Sequence, residues 1–289
     1  MLSFLAFFGV TCLLVAEGYL FARLLTGGTL LRLSLALPLV AISNLLLLFA
    51  CTVLDVPLSL PVLLGSHVVL VALAAWLGRK RTPTAETETT NGTSVSLGLR
   101  IACIVLLLCT TGYSFAHAVI LPSFQADSFT NWTMRSKLSF LDKRMAFDAT
   151  EERGVAKPQY PFLFHALQIT ANQGQREWSD RGANTILWLL NMSCFAAIFL
   201  LLKRMMGGRP SLLAITLLTG IPLVTLHFGG GYADIHVTGF TLLSATAFLV
   251  AKMKQDFRLF ALSGAMAVAA VWTKSEGLFL CLLPWLALA

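Results

Sequence analysis

Charge is scarce in this sequence. Asp, Glu, Lys and Arg together make up 12% of its 289 residues, about half the share a soluble globular domain needs to wet its surface. That shortage excludes a cytosolic enzyme, a disordered tail and a small secreted module. Cysteine is sparse too. The six cysteines sit in or beside apolar runs, none forms a CxxC pair, and the long polar segment has none. Neither a disulfide framework nor a thiolate metal site is expected, so they read as small core hydrophobes. No GxxxxGK[ST], GxGxxG or G-x-S-x-G pattern occurs, which removes the usual nucleotide-binding and hydrolase machinery. The first twenty residues lack a basic n-region and read as a retained span, not a cleaved signal.

What the sequence has is apolar length. Hydrophobic residues reach 57% and mean hydropathy is +0.78. A membrane-spanning helix needs roughly 20 mostly apolar residues. Suitable runs lie near 2–22, 33–54, 58–78, 101–121, 184–202, 211–228, 236–251 and 259–273, and a ninth starts at Leu278. The expectation is an all-α polytopic membrane protein of about nine spans. The ninth run reaches Ala289 after 12 residues, about 18 Å at 1.5 Å per residue, so an incomplete C-terminus is expected.

The net charge of +7 marks topology, not nucleic acid. Twelve basic residues, from Arg23 and Arg32 to Lys252, Lys254 and Arg258, fall in alternate loops. The positive-inside rule puts those loops in the cytoplasm and the N-terminus outside. Residues 1–81 are expected to form three N-terminal spans and 82–99 a cytoplasmic linker rich in Thr, Ser and Gly. Residues 100–289 then form the main membrane core. Within it, 122–182 is an outer loop with eight basic and seven acidic residues. Its aromatics, among them Phe129, Trp132, Phe140, Tyr160 and Trp178, are too many for a disordered linker, so short amphipathic helices folded against the spans are expected.

The unusual polar groups share the outer side of this topology. Asp127 follows the fourth span. The loop carries Lys157-Pro158-Gln159-Tyr160-Pro161. Gly229-Gly230-Gly231-Tyr232-Ala233-Asp234-Ile235-His236 joins the sixth and seventh spans, and Trp272-Thr273-Lys274-Ser275-Glu276-Gly277 closes the eighth. Ionisable residues at span ends usually mark a site or a boundary. Each also has a plainer reading. Asp127 could cap a surface helix, Asp234 could be a turn residue after three glycines, and Lys274 and Glu276 could be interface anchors. The prolines could only break helices around Tyr160. His67, His117, His165 and His227 read as span-interior or interface residues with satisfied ring nitrogens; His236 is kept as a weak site candidate. No cluster has zinc-ligand spacing.

The order and spacing of Asp127-Ser128-Phe129-Thr130-Asn131-Trp132, Pro158-Gln159-Tyr160-Pro161, Gly231-Tyr232-Ala233-Asp234 and Thr273-Lys274-Ser275-Glu276-Gly277 resemble the GT-C membrane glycosyltransferases. The bacterial proteins similar to protein O-mannosyltransferases and aminoarabinose transferases are the nearest in pattern. The resemblance spans about residues 100–289. It implies transfer of a sugar from a polyprenyl- or dolichyl-phosphate donor to a lipid, glycan or protein acceptor, on the outer face of a bacterial inner membrane. It makes Asp127 the general base of an inverting reaction. Arg135, Lys137 and Lys274 become the cations for the lipid phosphate and Tyr160 a donor to it. Asp234, Glu276 and His236 would hold sugar or acceptor groups, or a divalent metal if one is used. Two departures are expected beside the match: three spans and a linker precede the loop, and the further C-terminal spans of such proteins are expected to lie outside these 289 residues. A transporter or lipid-handling protein is the alternative, expected to show broken helices and repeat symmetry. A structural assembly partner is a third reading, against which the aromatic loop argues.

Overall fold

Among the described residues six helices are long and apolar enough to cross a membrane, and a seventh such region is bent in two. The structure, a computed structural model, describes residues 2–79, 96–123, 125–148 and 150–289. Most of the expected linker, residues 82–95, lies outside the described residues, as do Phe124 and Ala149. The fold is all-helical, with no strand among the described residues.

The N-terminal helices α1 (Leu2–Leu25), α2 (Thr29–Val53) and α3 (Leu60–Gly78) are followed by α4 (Leu97–Ile120). Ser96 caps α4 by accepting from the Leu99 amide, so residues 97–99 belong to the helix and not to the linker. After α4 comes a π-helical turn, Ser128–Thr133, that runs into α5 (Met134–Asp142). Lys143, in the left-handed region at φ 55°, ends α5. Then follow α6 (Leu163–Asn172), α7 (Asp180–Met206), α8 (Gly208–Thr219), α9 (Pro222–Gly229), α10 (Ala233–Lys254) and α11 (Phe257–Thr273). A π-helical turn at Leu278–Leu282 leads into α12 (Leu283–Leu288).

The nine expected spans therefore sort differently. Six are single helices of adequate length: α1, α2, α3, α4, α7 and α10. The sixth expected run divides into α8 and α9, which meet at 76°. The break has a local cause. Pro222 lacks an amide proton and forces the residue before it out of the helical region; Ile221 is extended at φ −68°, ψ 119°. The last two runs, α11 and Leu278–Leu288, are shorter apolar helices.

Helix α7 is the hub, packed against α2, α4, α6, α8, α9 and α10. The segment after α4 folds back onto the end of the α2–α3 pair. Leu58 N–H donates to the Lys143 carbonyl at 2.7 Å, Met145 N–H donates to Thr52 Oγ1 at 3.0 Å, and Phe49 meets Phe147 edge-on. Helix α6 goes further than the amphipathic helix folded against the spans that was expected: every one of its residues is buried. A helix covered on all sides is a core element, and α6 sits between α2, α5 and α7.

Candidate functional site

Four stretches far apart in sequence meet at one end of the helices: the turn opening at Asp127, the Tyr160 loop, the connection before α10 and the connection after α11. Asp127 has helical backbone angles and caps nothing with its side chain. Its carboxylate instead accepts from two side chains one turn ahead. Asn131 Nδ2 donates to Oδ1, and the Trp132 indole Nε1 donates to Oδ2 at 3.0 Å. The capping explanation for Asp127 is therefore not what its side chain does. A carboxylate has about four lone-pair positions, so two N–H donors orient it without exhausting it.

Trp132 is fully buried and fixes the next residue of the group. The Tyr160 ring lies parallel to it, with centroids 4.7 Å apart and planes 2° apart. Behind Trp132 stand Phe164 and His165 of α6, at 5.2 Å and 5.8 Å. The Tyr160 hydroxyl is held above its usual range by burial; Lys274 opposes this, while Glu276, Asp127 and Asp234 add to it. All four charges are thus within electrostatic range of one phenol. Tyr232 responds in the same direction, through burial and then through Asp127 and Asp234.

The cation of this group is Lys274. Its Nζ donates to Asp234 Oδ1 at 2.8 Å, lies 3.4 Å from Glu276 Oε1, and sits 5.9 Å from the Tyr160 ring centre, at the outer limit of a cation–π contact. Burial alone would lower the Lys274 ammonium, but the Asp234 bond and the charges of Asp234, Glu276 and Tyr160 outweigh it and hold it above its usual value. Lys274 and Glu276 are thus paired across the site and are not loose anchors. Asp234 stands in the first turn of α10, where the helix dipole favours a negative charge.

Three glycines make this convergence sterically feasible. Gly231 has φ +71°, which a side chain rarely adopts. A Cβ on Gly229 would lie 2.6 Å from the Ser114 carbonyl oxygen, on Gly230 2.7 Å from Gln125 Oε1, and on Gly231 2.8 Å from Ser128 Oγ. The α9–α10 connection therefore packs directly on the end of α4 and on the Asp127 turn. The glycines supply close approach as well as a turn.

Three other expected site residues are placed elsewhere. Arg135 is 4% exposed; it donates to the Tyr160 carbonyl, lies 3.9 Å over the Phe162 ring, and burial lowers it to about 10. It braces the Tyr160 loop from behind. Lys137 is exposed on the opposite side of α5. His236 is buried, its ring nitrogens at 2.9 Å and 3.3 Å from the carbonyls of Tyr232 and Leu187 and its ring edge-on to Phe164.

Residues given no site role from the sequence also belong here. Asn131 and Trp132 hold Asp127; the spacing of four is a one-face α-helical signal, while the spacing of five comes into reach because the turn is π-helical. His227 stacks on Tyr232 with centroids 4.3 Å apart; a span-interior reading misses that contact because the break at Pro222 redirects α9. Among the described residues no set of three His, Cys, Asp or Glu side chains is arranged to hold a metal ion. No protein-family model, curated protein or solved structure matches the chain.

Proposed function

We propose that this chain is a membrane glycosyltransferase of the GT-C type. It would move a sugar from a polyprenyl- or dolichyl-phosphate donor to an acceptor hydroxyl on the non-cytoplasmic side. The observation that carries the reading is the convergence of Asp127, Tyr160, Asp234, Lys274 and Glu276, from four separate stretches, at one end of the helices. The opposite helix ends carry Arg23, Arg32, Lys203, Arg204, Lys252 and Lys254, which agrees with a cytoplasmic far side under the positive-inside rule.

In this reading Asp127 takes the proton of the acceptor hydroxyl as its oxygen bonds to the anomeric carbon. The bond from that carbon to the phosphate oxygen breaks, and the lipid phosphate leaves with the electron pair; the configuration inverts. Geometry decides a general base before basicity does, and Asn131 and Trp132 give Asp127 a fixed geometry. The departing phosphate needs donors that are already in place. Lys274 has three N–H donors, two of them facing Asp234 and Glu276, and Tyr160 adds a hydroxyl held in its protonated form. Asp234 and Glu276 are half exposed and suit sugar hydroxyls. Arg135 holds the loop and takes no part in the chemistry.

A second reading, transport without covalent chemistry, draws on one specific observation. The α8–α9 break is a discontinuous span of the kind found at transporter sites. Full-length protein in lipid nanodiscs, supplied with a polyprenyl-phosphate hexose and a hydroxyl acceptor, separates the two. Glycosyltransfer predicts release of the lipid phosphate together with a glycosylated product. Uptake of substrate into sealed vesicles with no bond broken would favour transport and overturn the first reading.

A further inference from the structure

A second polar cluster lies among the helices, away from the outer group. Glu17 of α1 is 0% exposed and His67 of α3 is 1% exposed. His67 Nδ1 is 2.5 Å from Glu17 Oε2, and His67 Nε2 is 3.2 Å from Asn44 Oδ1 of α2. Ser43 Oγ donates to the other Glu17 oxygen at 2.6 Å. Thr170 Oγ1 of α6 donates to the same Asn44 Oδ1 at 2.9 Å. An ionisable residue inside a spanning helix is costly and by default marks a function. His67, expected in a span interior or at an interface, and Glu17, a lone acid in an apolar run, are each other's partners.

The proton inventory of the cluster is closed. Asn44 Oδ1 can only accept, so His67 Nε2 carries a proton. Both Nδ1 and Glu17 Oε2 hold lone pairs, so a contact of 2.5 Å requires a second proton between them. Wherever that proton rests, the pair as a whole is neutral. Asn44 bears the cost: with Oδ1 turned to His67 and Thr170, its Nδ2, also buried, has no partner among the described residues. An orphaned amide donor costs about 1–3 kcal/mol. Asn44 is therefore held in this orientation by the two donors at its Oδ1 alone.

We propose that Glu17, His67, Asn44 and Thr170 form an intramembrane proton site whose occupancy sets the orientation of Asn44 and its bond to α6. Removing the shared proton leaves a carboxylate facing the Nδ1 lone pair. The remaining imidazole proton then moves to Nδ1, which donates to Glu17. Nε2 becomes an acceptor, and the Asn44 amide turns so that Nδ2 donates to it. The same turn presents an N–H to Thr170 Oγ1, which changes from donor to acceptor, and Oδ1 takes the unpartnered position that Nδ2 held. The titratable groups in this network are Glu17 and His67; Ser43, Asn44 and Thr170, which face them from α2 and α6, carry no charge. Because α6 also carries the Phe164 and His165 rings against Trp132, the site touches the support of the outer group. It stands whatever that group catalyses.

Nitrogen NMR of the full chain in nanodiscs, with labelled histidine and asparagine, tests this. As pH rises, the His67 ring nitrogens and the Asn44 side-chain amide should change together in one transition, and Glu17→Gln should abolish it. Thr170→Val leaves the proton pair in place and serves if Glu17→Gln does not fold; it should keep the His67 transition and reduce the Asn44 response. A His67 signal that never changes, or one that changes while Asn44 stays still, overturns the proposal. So does an Asn44 response unaltered in Thr170→Val.

Discussion

Trp132 joins Asp127 to Tyr160: its indole N–H donates to the carboxylate at 3.0 Å while its face lies 4.7 Å from the phenol ring. One buried side chain therefore sets both the proposed base and the proposed phosphate donor. Its own position is fixed from behind by α6, which is buried on every side.

Trp132→Phe keeps an aromatic ring and removes the N–H. We expect turnover to fall roughly tenfold, about 1.4 kcal/mol, in a protein that still folds but melts lower, because Phe leaves part of the buried indole volume unfilled. Turnover on a polyprenyl-phosphate hexose, beside a melting curve, checks it; equal turnover would mean that Asp127 does not depend on the indole.

Tyr160→Phe asks a different question of the same stack. The ring packing survives, so stability should hold. If the hydroxyl meets the lipid phosphate, donor affinity or turnover should fall by roughly tenfold. Unchanged kinetics would leave Tyr160 a packing residue only.

Lys274→Met removes the one cation that Asp234 and Glu276 share. With two carboxylates then facing each other beside Tyr160, donor binding should weaken more than in Tyr160→Phe. The wild-type pair also has an alkaline signature. The folded Lys274 ammonium lies above its ordinary value, so its contribution to stability is present at neutral pH and is lost as pH rises through that raised value. Melting curves above pH 10 should show a loss in the wild type that is smaller in Lys274→Met.

His165 gives the opposite limb. Burial lowers it to about 3, with Arg135 adding to the effect and the Trp132 backbone opposing it; an unfolded histidine titrates near 6.5. Between those values the unfolded chain binds a proton that the folded chain refuses, so stability present above about 6.5 is lost as pH falls toward 3. The slope of stability against pH in that window should be shallower by up to about one proton in His165→Gln. An identical acid limb in the variant would show that His165 is not the group responsible.

The sequence disclosed the helices well and their count less well. Apolar length finds α1, α2, α3, α4, α7 and α10, because each is one unbroken run. It counts nine where the described residues show six single helices and one bent pair, since α11 and α12 are short and hydropathy does not register the bend at Pro222. The acids and Lys274 were visible as polar residues at span ends, and the structure does bring them together. Arg135 and His236 could not be sorted in this way: a basic residue in a polar loop looks free until the Tyr160 carbonyl and the Phe162 ring are seen around it. The Glu17–His67 pair was hidden for the converse reason, since a single acid in an apolar run shows no partner until three helices are packed.

Asp127→Asn tests the central claim most directly, because it keeps the size of the side chain and removes the base. Full-length wild type and variant would be compared in nanodiscs for product formed from a polyprenyl-phosphate hexose, with melting curves to show that both are folded. The account predicts a loss of about 10²–10⁴-fold in turnover at a similar melting temperature. Near wild-type turnover in a folded Asp127→Asn protein would contradict it.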